Sequence, residues 1–274
     1  MSARRWHVLL LHLVLGTGAL LTLVPLAWMV AASFMQTGEA NQVPPPLWPA
    51  RPTLEHYVTL FTRLDLARHF LNSAIVTVLA TVISVFVNGM AGYAFGKLRF
   101  GGRDRLFRTL SFALVIPAQV SMLPLFLLLR QMAFVNTYVG VLVPYLASVF
   151  GIFLVRQYVL SVPEDLLDAA RIDGLSEMAI FWKIVVPLIR PILVTLATFS
   201  FLAVWNDFMW PLIVLSDQSR YTLPVALAGL SGEHVQDTEL MMAGSVITIL
   251  PALVVFLAFQ RTYVRGILSG SIKG

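Results

Sequence analysis

Residues 8–34 run for 27 positions without an Asp, Glu, Lys or Arg. About 20 mostly apolar residues are enough for a helix to cross the hydrocarbon of a bilayer. Six stretches of roughly that length occur here, at 8–34, 70–95, 107–129, 138–160, 192–215 and 241–259. A water-soluble fold has nowhere to put them. Charged residues make up only 12% of the 274, against about 25% in an ordinary soluble domain, so the chain cannot cover a water-facing surface. A soluble enzyme and a disordered chain are thereby excluded. The absence of cysteine excludes a disulfide scaffold and thiolate metal sites. A membrane β-barrel would show weak alternating segments of about ten residues instead of long continuous runs. The expected class is an all-α membrane protein with six transmembrane helices.

The first run follows Arg4 and Arg5, as in a signal peptide, but it is too long and lacks a small-residue cleavage site before Gln36. It is expected to remain as a helix. Six spans put both termini on one side of the membrane. With the N-terminus inside, 14 of the 19 Lys and Arg residues fall in inside segments, and the positive-inside rule therefore makes both termini cytoplasmic. The net charge of +5 is spread over short stretches between apolar runs, which does not suggest nucleic acid.

The segments between spans differ in character. Residues 35–69 carry Pro44, Pro45, Pro46, Pro49 and Pro52 and read as an extended, polyproline-like stretch outside the membrane. The inside loop 97–108 is short and basic, and the outside turn 131–136 is tight. The outside loop 216–239 is polar, with room for a short helix. The inside segment 161–190 is the longest between spans on that side and is acidic at its start. Ser161 three residues before Glu164 is a capping-box pattern, and Pro163 suits a first turn. Gly174 offers a left-handed C-cap near Asp173, and Ser176 can cap a second helix over 177–186. Pro187 and Pro191 then bend the chain into span five. A small-residue face at Ala169 and Ala170 lets a partner backbone approach, and Asp168, Arg171 and Asp173 can give charge-assisted bonds. The alternative is an amphipathic loop lying on the lipid headgroups.

The run D-A-A-R-I-D-G at 168–174, followed by nine residues and I-V-V-P ending at Pro187, resembles the cytoplasmic signature of permease subunits of ATP-binding-cassette importers. The family form is E-A-A-x-x-x-G, nine residues, then I-x-L-P. Asp168 stands for the Glu and Val186 for the Leu, while Ala169, Ala170, Gly174, Ile184 and Pro187 match. The resemblance spans nearly the whole chain and is nearest the carbohydrate-uptake, maltose-permease-like branch. It is supported in order by H-F-L-N-S at 69–73, G-Y-A-F at 92–95, the Pro117 and Pro124 region, W-N-D-F-M-W-P-L at 205–212 and R-G-I-L-S-G-S-I-K-G at 265–274.

The resemblance implies a type I importer permease fold with a cytoplasmic coupling helix between helices 4 and 5. It implies a single permease domain over 1–274, with an N-terminal helix and outer loop (1–65), core helices (66–262) containing the coupling segment (161–190), and a cytoplasmic tail (263–274). Glu164, Asp168, Ala169, Ala170, Asp173 and Gly174 would form the surface that docks on an ATPase subunit. Implied partners are a second permease of similar fold, two ATPase subunits, an extracytoplasmic sugar-binding protein and membrane lipid, with a sugar as the transported substrate. No cofactor is expected on this chain, since ATP and Mg belong to the ATPase. Gly92–Lys97 has neither the spacing nor the Ser/Thr of a phosphate loop. The Gly-rich tail would reach the ATPase pair and help sense its nucleotide state.

Asn206 and Asp207 lie in span five, where an acid at the bilayer centre costs about 2.5–3.5 kcal/mol. With Trp205 beside them, and Asn72 in span two, they are candidates for a translocation path, because aromatic faces stack on sugar rings. The same residues could equally knit helices together or sit at the interface. Ser73, Thr77, Thr81, Ser84 and Asn88 read mainly as helix-packing hydrogen bonds, and the G-x-x-x-G of Gly92 and Gly96 as a close helix crossing. His7, His12, His56, His69 and His234 show no metal-binding spacing. Two rivals are an ion-gradient-driven secondary transporter, which would show an inverted repeat and broken helices at matched positions, neither of which the sequence suggests, and a membrane-embedded enzyme, which would need an acid or histidine cluster other than 164–177.

Overall fold

A helix that is apolar on every face leaves none for water. The first helix, α1 (Ser2–Ala32), is of this kind, and its side chains at 6–27 are exposed in the isolated chain. The computed structural model describes the backbone of residues 2–233 and 237–271 and the side chains of 6–229 and 237–260. All regular structure among the described residues is helical. After α1 come α2 (Glu55–Thr62), α3 (Leu66–Lys97), α4 (Arg103–Phe112), α5 (Ala118–Gln131), α6 (Tyr138–Leu142) and α7 (Val149–Val159). They are followed by α8 (Glu164–Ile172), α9 (Glu177–Ile180), α10 (Val186–Leu188), α11 (Arg190–Trp205), α12 (Met209–Val214), α13 (Leu223–Glu233) and α14 (Thr238–Ser271).

Three helices are continuous and apolar enough to cross a bilayer: Trp6–Ala32, Leu66–Lys97 and Thr238–Gln260. The other three expected spans are not straight. Arg103–Val115 and Ala118–Gln131 meet at 107°, Tyr138–Tyr145 and Val149–Val159 at 42°, and Glu177–Leu188 and Arg190–Trp205 at 83°. The number of spans among the described residues is therefore three, or up to six if each bent pair is one crossing. Proline explains the first break. Ile116, ahead of Pro117, is extended, as a residue before proline tends to be, and so cannot continue the helix. In the second, Ser148 is extended and caps α7 by accepting from the Gly151 N–H at 2.8 Å. The Ser148 N–H itself goes to Asn88 Oδ1 at 2.9 Å, so a buried amide on α3 satisfies the backbone group freed by the bend. Span five also ends earlier than expected: α11 stops at Trp205, and α12 is a separate short helix.

The chain folds as two compact units. The first comprises Met1–Ala67 and Ala226–Leu250. Its small core holds Ala32, Met35 and Ala40 against Trp28 and Met242. The proline-rich stretch is not extended, because Glu39 accepts from the backbone N–H of Gln36 at 3.0 Å and of Ala50 at 2.7 Å, folding the loop back on itself. Trp28 reinforces the fold by donating its indole N–H to the Pro46 carbonyl at 2.9 Å. These bonds, that to Ala50 above all, hold the Glu39 carboxyl below the usual carboxylate range.

The second unit comprises Arg68–Val225 and Pro251–Gly274. One core gathers Tyr93, Val155, Val159, Leu167, Ala170, Ile180, Phe181 and Leu196. Another gathers Val76, Leu129, Val141, Trp210 and Val214. Gly92 and Gly96 do mark a close crossing. A Cβ on Gly92 would lie 2.6 Å from Val155 Cβ, and one on Gly96 would lie 2.9 Å from Val159 Cγ1. Part of the polar stripe on α3 is spent internally: Ser73 Oγ accepts from the Leu223 N–H at 2.7 Å, and Asn88 Nδ2 donates to Ser84 Oγ at 2.8 Å, whereas the buried Thr81 hydroxyl has no partner among the described residues.

Candidate functional site

The helix pair α8–α9 is built by local chemistry at each end. Acidic Glu164 and Asp165 occupy the first turn of α8, and Arg171 its last, an arrangement that complements the helix dipole. Gly174 takes the left-handed conformation at φ +82°. Its N–H reaches the Arg171 carbonyl at 3.0 Å, and the Leu175 N–H reaches Ala170 at 3.0 Å, which is a Schellman stop. Ser176 then caps α9 by accepting from Ala179 N–H at 3.3 Å. Beyond α9 the backbone widens into a π turn over Phe181–Val185, in which the Val186 N–H bonds the Phe181 carbonyl. Pro187 has no N–H to offer the preceding turn, and the wider turn accommodates it.

The capping box is not formed. Pro163 occupies the N-cap position and gives no side-chain bond, while the Ser161 hydroxyl donates to the Tyr158 carbonyl at 2.7 Å. Glu164 turns instead to Lys97, at 3.1 Å, and to Arg171, at 3.6 Å. Arg171 also holds Asp168 at 2.6 Å and Glu177 at 2.8 Å. Its pKa is raised by these bonds, that to Glu177 first and that to Asp168 second. Asp168, Ala169, Asp173 and Gly174 are exposed together on one side of the pair, whereas Ala170 is buried. Ala170 is thus a correction to the expected docking surface: it packs into the core with Leu167, and its small size serves the inside of the fold.

Sequence reasoning missed the apolar part of the exposed face. Ile172 is 85% exposed, and Leu166 and Met178 stand out from the same segment. Ile172 stands two residues beyond buried Ala170, on the opposite side of a 3.6-residue turn, and that period was the signal in the sequence. Reasoning from sequence likewise gave Lys97 no role beyond its charge, and Tyr93 and Glu177 none in this cluster. Lys97, Leu98, Arg99 and Phe100 line a cleft of about 580 Å³ with Glu164, Asp168, Arg171 and Glu177.

The four candidate path residues do not share one exposed surface. Trp205 is 2% exposed, stacked on Phe201 at 5.8 Å and edge-on to Phe70 at 5.5 Å. Asn72 is buried and donates to the carbonyls of Ser219 and Tyr221, both at 3.0 Å. Both are therefore packing residues in this fold, without surface for a passing solute. Asp207 lies at the break between α11 and α12. It accepts the Tyr145 hydroxyl and the Met209 N–H, the latter at 3.1 Å, and so caps α12. Asn206 alone of the four is exposed, with its amide on the Leu202 carbonyl at 2.8 Å. Among the described residues no group of three or more His, Cys, Asp or Glu could hold a metal. His234 and the side chains of the tail at 263–274 lie outside the described residues.

Residues 89–269 match the family described as the binding-protein-dependent transport system inner membrane component. The chain is 37% identical over 259 residues to the arabinooligosaccharides transport system permease protein AraQ of Halalkalibacterium halodurans, covering 93% of each. It is 32% identical over 270 residues to the lactose transport system permease protein LacG of Rhizobium radiobacter, covering 98% of each. Among solved structures, a bacterial ABC transporter that imports the acidic polysaccharide alginate superposes with a TM-score of 0.84 at 23% identity, covering 95% of this chain and 98% of that one. The family match takes in α8, Gly174 and α9, with the α3 turns that face them. The chain belongs to the binding-protein-dependent transport system inner membrane components.

Proposed function

We propose that this permease forms one half of the membrane pathway of a sugar importer, with α8–Gly174–α9 as the segment that docks on an ATPase subunit. The observation that carries the docking assignment is the exposed face of α8. Leu166, Ala169 and Ile172 are exposed on a helix stopped at both ends, and no described residue covers Ile172. A short helix closed by the Gly174 stop transmits displacement better than a loop, and an exposed isoleucine fits an apolar groove on a partner. A carbohydrate substrate is supported by the relatives, whose names specify arabinooligosaccharides and lactose. ATP and Mg belong to the ATPase in this reading. A second permease completes the pathway, and an extracytoplasmic sugar-binding protein delivers substrate at the outer loops 35–69 and 216–239. Both termini are cytoplasmic, following the distribution of Lys and Arg. Asn206 is the candidate for solute contact. The secondary-transporter rival is not favoured, since the family is a binding-protein-dependent one.

Purification of the tagged chain from its native membrane, with mass spectrometry of its companions, tests this reading. An ATPase and a second permease are expected with the wild-type chain. With Ile172→Glu or Gly174→Arg the ATPase alone is expected to be lost. Recovery of the chain by itself, folded, would sink the importer reading. An unchanged ATPase yield with both variants would sink the docking assignment.

A further inference from the structure

We infer that Lys97 and Tyr93 are positioning residues that fix the docking pair to α3, so that displacement of α8 is passed into a membrane-spanning helix. The inference rests on the docking assignment above. Lys97 sits at the last residue of α3 and is only 8% exposed, although it is a lysine. Its ammonium donates to the Val162 carbonyl at 2.6 Å, just ahead of α8, and to Glu164 in the first turn of α8 at 3.1 Å. One helical turn back, Tyr93 donates its hydroxyl to Glu177 in the first turn of α9 at 2.5 Å. Residues four apart lie on one face of a helix, so a single face of α3 holds the start of both docking helices.

Two attachment points determine an orientation, where one would leave a pivot. Arg171 closes the arrangement by bridging Glu164 and Glu177, the two carboxylates that α3 holds. Under this polar layer, Tyr93 packs in the same core as Leu167, Ala170, Ile180 and Phe181. The close passage of α3 against α7 at Gly92 and Gly96, each next in sequence to one of the two anchors, packs beside the joint, and Val155 and Val159 share its core. Apolar packing alone resists separation but permits sliding, because it has no direction. The charge-assisted bonds of Lys97 have direction, and its burial makes loss of either partner costly. Lys97 and Tyr93 touch no transported solute and no nucleotide in this account. They act through α8 and α9.

The test uses the assembled importer in proteoliposomes, with Lys97→Met, Tyr93→Phe and the double variant. Each substitution keeps the bulk of the side chain and removes the polar head. ATPase co-purification and basal hydrolysis are expected to stay close to wild type. Uptake per ATP hydrolysed is expected to fall at least about fivefold in the double variant, the lower end of ordinary intersite coupling. Lys97→Arg is expected to restore most of it. A second measurement does not depend on transport. Spin labels at Asp165→Cys on α8 and Val82→Cys on α3, in a chain that has no other cysteine, are expected to give a narrow distance distribution that broadens with Lys97→Met and Tyr93→Phe. Wild-type uptake per ATP in the double variant, or an unbroadened distribution, would overturn the inference. So would a loss of uptake matched by equal loss of bound ATPase, since that is a docking or folding defect. An ATPase yield left unchanged by Ile172→Glu and Gly174→Arg would instead refute the docking assignment beneath it.

Discussion

Gly174 and Gly92 are both glycines for a physical reason, but not for the same one. At Gly174 the backbone is left-handed, and nothing lies within 4 Å of where a Cβ would be. The constraint is conformational only, and a β-carbon in that region costs about 1–2 kcal/mol. Gly174→Ala is expected to destabilise the stop of α8 by about that much, and Gly174→Asn by less, since Asn tolerates this conformation. Hydrogen exchange at the Leu175 amide, which bonds Ala170, reads the difference. At Gly92 the backbone is helical, and the obstacle is Val155 across the helix interface. Gly92→Ala is expected to lower thermal stability in detergent by about 1–3 kcal/mol through overpacking. Adding Val155→Gly, which removes the β-carbon that Gly92→Ala would meet at 2.6 Å, is expected to recover part of it. Equal losses in the single and double variants would show that the helices are not in contact there.

At the scale of elements, the turns and breaks carry most of the information. Six apolar runs are legible because each is a local property of about 20 residues. Pro117 and Pro187 warn of breaks, but the angle of each break is set by what receives the freed backbone. Asn88 does this for Ser148, 60 residues away in sequence. The loop ahead of α2 shows the same limit. Its prolines suggest an extended, polyproline-like stretch, and one carboxylate folds it back. The folded-state pKa of Glu39 is depressed, so its contribution is present above the ordinary carboxylate range and is lost as the pH falls through the lowered value. Acidification is therefore expected to release the Gln36 and Ala50 amides to faster exchange, relative to the intrinsic rate at each pH. Glu39→Gln is expected to remove that pH dependence. Amides whose protection is indifferent to acid would count against the clamp.

At the scale of the whole molecule, orientation in the membrane is read by labelling, because a chain without cysteine accepts single reporters cleanly. Trp48, on the folded loop, is well exposed, and so is Arg105 on α4. With the N-terminus inside, Trp48→Cys is expected to react with an impermeant maleimide in intact cells, and Arg105→Cys only after permeabilisation. The reverse pattern would invert the proposed topology.

The membrane class, the helical content, the Gly174 stop and the Ser176 cap followed from sequence alone, because each depends on residues within a few turns of one another. The family resemblance was equally legible, since it rests on ordered short motifs. What lay beyond the sequence was decided by partners far along the chain. Lys97 finds Val162 across 65 residues, and Asn72 finds Tyr221 across 149. Ala170 and Ile172 point to opposite sides of one helix, and packing decided that the Ala170 side is the buried one. Hydrophobicity and backbone preference are properties of a residue and its neighbours. Which side chains meet, and which face stays open for a partner, is fixed only when helices far apart in the chain are packed together.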